Sequence, residues 1–172
     1  MVYFAHVNQR VPMSRTSELT DVEMTILEEL QRDARLSSTD LADKLNLSVT
    51  PTWRRVKRLE EAGLIRGYHA LLDAKRLGFG IESFLMVSVH SHDERNIQLF
   101  EAAVAAIDEV ISCHMVSGGG DYLLHVVAKD MDSYSDFITR VAGTLPGVRE
   151  TRSAFVLRTM KQFAGLPVRR AG

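Results

Sequence analysis

The feature of this sequence that most limits its fold is the stretch Ser48 to Gly63, SVTPTWRRVKRLEEAG, which reads as a helix with a definite start, a definite stop and two unlike faces. Ser48 stands at the N-cap, where a hydroxyl can accept from an orphan backbone N–H. Pro51 falls in the first turn, where a missing N–H costs nothing. Gly63 supplies the left-handed residue that ends the helix. At about 100° per residue, Val49, Thr52, Val56 and Leu59 fall on one arc, and Thr50, Arg54, Arg55, Lys57 and Arg58 on the opposite one. One face is core and the other cationic. A charged helix face is ordinarily a solvated face and nothing more. Here, however, five basic residues stand against Glu60 and Glu61 between Ser48 and Gly67, in a chain of formal net charge -1. Cations gathered locally on a nearly neutral protein point to a polyanionic partner.

Upstream, Thr20-Asp21-Val22-Glu23 has the form of a capping box, and Val22, Ile26, Leu27 and Leu30 recur at helical spacing, predicting a helix over 20–33. Ser37-Ser38-Thr39-Asp40 starts a second, shorter helix with Leu41, Ala42 and Leu45 on its inner face and a break near Asn46. Only Asn46-Leu47 separates it from the helix that begins at Ser48. Three helices with so tight a turn before a basic third one form a helix-turn-helix, whose last helix enters the major groove of double-stranded DNA. Leu64 to Leu72 is extended in character and fits a wing or a connecting strand.

Beyond residue 80 the pattern changes. Phe84–Val89, Val110–Val116, Tyr122–Ala128 and Glu150–Leu157 read as strands. Asn96–Ile107, with Ile97, Phe100, Val104 and Ile107 on one side, and Ser133–Ala142, with Tyr134, Phe137, Ile138 and Val141, read as helices. The order βαββαβ is the ferredoxin-like plan, an antiparallel sheet with both helices on one face, so the fold class is α+β. The other face lacks cover within the chain, which predicts a dimer packed sheet to sheet. The expected organisation is an arm over 1–15, a winged helix-turn-helix over 16–66, a connecting strand and linker over 67–80, a ferredoxin-like domain over 81–160 and a tail over 161–172. Residues 1–12 fit either a loose arm or an overlong start assignment.

At 172 residues and 45% hydrophobic the chain has ample material for buried cores. The single Cys113 rules out an intrachain disulfide or a multi-cysteine zinc site, so a reducing cytoplasm is the natural compartment. No run approaches the roughly 20 apolar residues of a membrane span, and Val2–Val7 makes a poor signal peptide. No catalytic constellation stands out. Cys113 and His114 are adjacent in a strand and point to opposite faces. His90 and His92, with Asp93 beside them, make half a zinc site at best. Ser117-Gly118-Gly119-Gly120-Asp121 lacks the Lys-Ser/Thr ending of a phosphate loop and leads into a strand, so it reads as a hairpin turn. An RNA-binding sheet would need exposed aromatics at its centre, and Tyr122 is the clear aromatic in strands that are otherwise aliphatic. Neither catalytic residues, nor metal ligands, nor a cofactor site are expected.

Three segments carry a resemblance that spans nearly the whole chain, from about Leu19 to Leu166. They are LEELQRDARLS over 27–37, RVKRLEEAGLIRGY over 55–68 and CHMVSGGGDYLL over 113–124, with Pro146-Gly147-Val148 and Thr151-Arg152 completing the match. So long a colinear match resembles the leucine-responsive and asparagine regulators, the Lrp/AsnC family. The resemblance implies a winged helix-turn-helix, a ferredoxin-like domain that binds a small amino acid between subunits, and dimers assembling into octamers or similar rings. The family often carries Cys-Leu where this chain has Thr52-Trp53.

For the nucleic acid, the expected contacts are Ser48, Thr50, Trp53, Arg54, Arg55, Lys57 and Arg58. Arg54 and Arg58 suit bases or nearby phosphates, Arg55 and Lys57 the backbone, and Trp53, at the border between faces, suits packing as well as contact. By resemblance, the effector site borders the glycine turn. Val116, Gly118, Asp121 and Tyr122 are candidates there, with Met115, Met131, Thr151, Ser153 and Phe155, in ordinary core positions of strand and helix, beside them. Backbone N–H groups can meet a carboxylate, Asp121 an ammonium, and Met and Phe an apolar side chain such as that of leucine or methionine. The alternative is an architectural DNA-binding protein without an effector.

Overall fold

The computed structural model describes residues 19–168, so the arm over 1–15 lies outside the described residues. These fall into two compact units, 19–71 with 161–168, and 72–160.

The first unit holds three helices, α1 (Asp21–Arg32), α2 (Ser38–Leu45) and α3 (Val49–Glu61). Each boundary has a local cause. Thr20 and Glu23 close a capping box on α1, and Ser37 and Asp40 close another on α2. Asn46 takes the left-handed conformation at φ 52°, and Leu47 N–H reaches back to the Ala42 carbonyl. After α3, Gly63 at φ 71° lets its own N–H meet the Glu60 carbonyl while Leu64 N–H meets that of Leu59, a Schellman ending. Ile26, Leu30, Leu41, Val56 and Leu59 form the core, with Leu19, Val22, Leu27, Leu36, Leu45 and Ile65 packed around it.

Three sequence expectations change here. Ser48 is the N-cap residue of α3, but its side chain makes no capping bond; its carbonyl instead accepts from the Thr52 hydroxyl at 3.0 Å. Val49, placed on the core arc by periodicity, is exposed, because it precedes the turn at which α3 meets its neighbours. Residues 64–72 pair with no strand among the described residues. Residues 161–168 group with the helical unit. The Gln31 side chain donates to the Leu166 carbonyl at 3.0 Å and accepts from its N–H, and Gly165 at φ 104° leaves room for it.

The second unit is the βαββαβ plan: β1 (Ile81–Val89), α4 (Glu94–Ala105), β2 (Val110–Met115), β3 (Tyr122–Ala128), α5 (Met131–Thr144) and β4 (Val148–Phe155). The four strands run antiparallel in the order β2-β3-β1-β4. Alternation sends Leu85, Val87, Tyr122, Leu124 and Val126 to one face, where Phe100 and Val104 of α4 and Tyr134, Phe137 and Val141 of α5 cover them. Phe100 stacks on Tyr122 with ring centroids 4.1 Å apart. Phe84, Met86, Leu123, His125 and Val127 have the opposite parity and line the face without helices. Tyr122 is therefore under the helices; the aromatic on the open face is Phe84, stacked on His125 at 4.6 Å. The His125 ring in turn meets Glu82 at 2.7 Å.

Because Phe100 is buried and joins α4 to β3, Phe100→Ala is expected to destabilise the protein by about 3–5 kcal/mol, read as a shift in urea unfolding followed by circular dichroism.

Candidate nucleic-acid interface and effector turn

Thr52, Val56 and Leu59 seat α3 in the helical core, and that seat turns the rest of the helix outward. Ser48, Thr50, Trp53, Arg54, Lys57 and Arg58 are exposed and Arg55 is half-buried. Arg54 is exposed and has neither hydrogen bond nor ion pair to any described residue. Arg55 reaches back one turn to the Pro51 carbonyl at 3.4 Å, a long bond that leaves most of its donors unused. Lys57 is tied to Glu60 at 2.6 Å, and Glu60 also accepts from the Tyr68 hydroxyl at 3.0 Å. The Lys57 bond, ahead of that from Tyr68, holds the Glu60 carboxyl below its usual range. Burial, reinforced by Glu60, pushes the Tyr68 phenol up to about 12. Half of the Trp53 surface remains exposed, and the ring borders a cleft of about 310 Å³ with Leu30, Leu41, Val56 and Tyr68, so it packs as well as faces outward.

Arg58 departs furthest from the sequence reading. It shares the outward stripe, yet its guanidinium forms an ion pair with Glu23 of α1, which is 1% exposed. Reading Glu23 as a capping residue alone missed this. The signal was present: Glu23, Ile26 and Leu30 fall on a single helical stripe, and all three are buried.

In the second unit, residues 116–121 form the connection from β2 to β3. Val116 N–H donates to the Asp121 carbonyl at 2.9 Å, and Gly118 takes φ 126°, which favours glycine. One row across the sheet joins Met115 to Tyr122, Tyr122 to Val87 and Val87 to Thr151. Met115, Val116, Gly118, Asp121, Tyr122 and Thr151 are thus brought to one end of the sheet. Ser153 and Phe155 lie further along β4 and pack on α5, with the Tyr134 hydroxyl on Ser153 Oγ at 2.8 Å and the Tyr134 and Phe155 rings 5.0 Å apart. Met131 is exposed at the start of α5.

Asp121 already has partners. Its Oδ2 accepts the Val89 N–H at 2.8 Å, and its Oδ1 meets His92 Nε2, also at 2.8 Å. The Val89 bond first, and His92 second, hold its carboxyl below the usual range. His92 is thereby engaged, and among the described residues no three His, Cys, Asp or Glu side chains come together as a metal set. Gly120 sits against Met86, whose Cγ would lie 2.4 Å from an added Cβ, so the turn lies close on β1. A hollow of about 10 Å³ near it, lined by Met86, Ser88, Gly119, Glu150 and Arg152, has room for about one water and none for an amino acid. Cys113 is half-buried, and burial pushes its thiol up to about 11, so it is not poised as a nucleophile.

Residues 19–66 match the winged helix-turn-helix DNA-binding domain and residues 82–166 the Lrp/AsnC ligand binding domain. A Bkd operon transcriptional regulator of Pseudomonas aeruginosa is 41% identical over 88% of this chain and 99% of its own length. A leucine-responsive regulatory protein of Rhizobium meliloti is 39% identical over 84% of this chain and 92% of its own. Among solved structures, a Neisseria meningitidis transcriptional regulator in complex with L-methionine superposes with a TM-score of 0.82 at 35% identity, covering 87% of this chain and 97% of that one.

The environment of Asp121 has a consequence in acid. Its folded pKa lies below that of an ordinary aspartate, so the stabilisation it provides is present above the ordinary value and is lost as pH falls through the folded pKa. Asp121→Asn keeps an acceptor for Val89 but removes the charge. The stability gap between the parent protein and this variant is expected to narrow as pH falls from about 5 to about 3, measured by urea unfolding at fixed pH values.

Proposed function

The chain belongs to the Lrp/AsnC family of transcription regulators, and from that premise we propose that it binds double-stranded DNA through the outer face of α3 and answers to a small amino acid held between copies of itself. The observation that carries the DNA assignment is Arg54, a guanidinium with no partner among the described residues, on the exposed face of the third helix of a helix-turn-helix. A guanidinium in that place can take a guanine edge or a phosphate with two parallel bonds. Arg55, Thr50 and Ser48 flank it as phosphate contacts. Lys57, shared with Glu60, and Trp53, at the cleft, contribute at the margin.

Assembly follows from the open sheet face. Phe84, Met86 and Leu123 present an apolar centre that a second copy covers in a two-fold dimer, and dimers build an octamer or similar ring. A dimer carries two α3 helices to two half-sites. The effector belongs at the glycine turn, among Met115, Val116, Gly118, Asp121, Tyr122 and Thr151, with Met131, Ser153 and Phe155 further off. The hollow beside this turn is far too small for an amino acid, which supports a site completed by another subunit. An ammonium there would compete with His92 for Asp121, and an apolar side chain such as that of leucine or methionine suits the exposed Met115. The methionine complex of the Neisseria regulator favours the same class. A lone half-buried thiol, and no described helix long and apolar enough to cross a membrane, favour the cytoplasm.

Arg54→Ala is expected to weaken binding to the protein's own upstream DNA by about 1–3 kcal/mol, with the oligomeric state unchanged in sedimentation. Wild-type affinity in that variant would remove Arg54 from the interface. Fluorescence anisotropy with each common amino acid should show one or a few that alter DNA affinity, and Asp121→Asn should lose that response while still binding DNA. Affinity indifferent to every amino acid would favour the architectural reading.

A further inference from the structure

We propose that Glu23 and Arg58 form a brace that fixes α3 against α1, so that Glu23 is a positioning residue for DNA binding and Arg58 serves the protein core rather than the nucleic acid. The proposal rests on the DNA-binding reading above. Capping α1 occupies one carboxylate oxygen of Glu23: Oε2 accepts the Thr20 N–H at 3.0 Å and the Thr20 hydroxyl at 2.8 Å. A glutamine serves that role equally well. The other oxygen, Oε1, is buried and meets the Arg58 guanidinium. A carboxylate that is 1% exposed keeps its charge only with a compensating cation, and Arg58 is the one that an ion pair brings to it.

The direction of that pair matters for the helix. Ile26 and Leu30 meet Val56 and Leu59 through apolar contacts, which set the inward face of α3 but, being non-directional, tolerate small rotations about its axis. The ion pair from the buried Glu23 carboxylate to the Arg58 guanidinium joins two particular side chains and narrows that rotation. Arg54 lies four residues earlier on the same stripe of α3, so an anchor at Arg58 fixes the direction in which Arg54 projects. Thr20, Glu23, Arg58 and Arg54 thus form one chain of influence from the start of α1 to the outer face of α3.

Salt separates a brace from a phosphate contact. Removing a phosphate contact lowers the slope of log affinity against log salt by about 0.9, whereas misplacing a helix lowers affinity without that change. The full-length protein would be titrated against labelled upstream DNA over a salt series as wild type, Glu23→Gln, Arg58→Gln, Arg58→Lys and the Glu23→Gln/Arg58→Gln double variant. Thermal unfolding of each would be recorded alongside. Each Gln single variant is expected to bind on the order of tenfold more weakly with the wild-type slope. The double variant should be no worse than either single, since the two act through one contact, and Arg58→Lys should recover part of the loss. Unfolding temperatures should show the same non-additivity.

A reduced slope for Arg58→Gln, with Glu23→Gln binding as wild type, would overturn the proposal and return Arg58 to the phosphate backbone. Wild-type affinity in both single variants, or strictly additive unfolding temperatures, would overturn it as well. If the wild type binds no DNA in a salt-dependent way, the DNA reading fails by itself, and the unfolding cycle still decides whether the brace exists. If Glu23→Gln does not fold, the slopes of the two Arg58 variants carry the decision.

Discussion

Thr52, Val56 and Leu59 are buried against α1 and α2, and whatever the opposite face of α3 does depends on that seat. Burial of these side chains decides which face of the helix turns inward, and it leaves Arg54 on the solvent side as a consequence. The seat uses short-range devices throughout. The left-handed Asn46 brings α2 and α3 into a tight turn, the Thr52 hydroxyl returns to the Ser48 carbonyl instead of remaining an orphan in the core, and Gly63 releases the chain after the last apolar contact at Leu59. Apolar burial supplies most of the stabilisation, while these polar closures decide which arrangement is stabilised.

The second unit solves a different problem. Two helices cover one face of its sheet, and the strands β1 and β3 at the centre are buried there by Phe100, Tyr134 and Phe137. The other face carries Phe84, Met86, Leu123 and Val127 among Glu82, His125, Glu150 and Arg152, a mixed surface whose apolar middle is surrounded by charge. Such a surface resembles an interface with an apolar core and polar rim more than a solvated sheet. The pairing of Phe84, His125 and Glu82 partly shields the middle within one chain.

Local signals made most of the architecture legible. Capping boxes at Thr20 and Ser37, the break at Asn46 and the stop at Gly63 are written in residues three or four positions apart, whereas strand parity in β1 and β3 is hidden because Phe84 to Val87 and Tyr122 to Leu124 are apolar on both faces. What escaped depends on partners distant in sequence. Periodicity assigns Arg58 to the outer stripe, but it cannot say that a buried carboxylate on α1 waits within reach. It places Val49 on the inner arc without knowing that no neighbour extends to the first turn. The extended character of 64–72 gives a conformation and no pairing partner. The glycines beside Asp121 say nothing of its partners, Val89 and His92, which lie far along the chain and already occupy it. The Gln31 contact to Leu166 joins the first helix to the far end of the described chain, a distance over which no pattern operates.

The state of Asp121 also bears on how an effector would act. A carboxylate that is already bonded to Val89 N–H and His92 offers an incoming ammonium an exchange of partners rather than a vacant site. The gain is the difference between the ammonium contact and the His92 contact it replaces. Exchange frees His92, which follows the end of β1, while the bond to Val89 can persist on the other oxygen. A ligand acts on DNA affinity only so far as it binds two arrangements of the assembly unequally. An exchange at Asp121 meets that requirement if the freed His92, or the β2–β3 turn that carries Gly118, lies against a second subunit in one arrangement and not in the other. In that case the coupling is set at the edge of the sheet, by which partner holds one carboxylate.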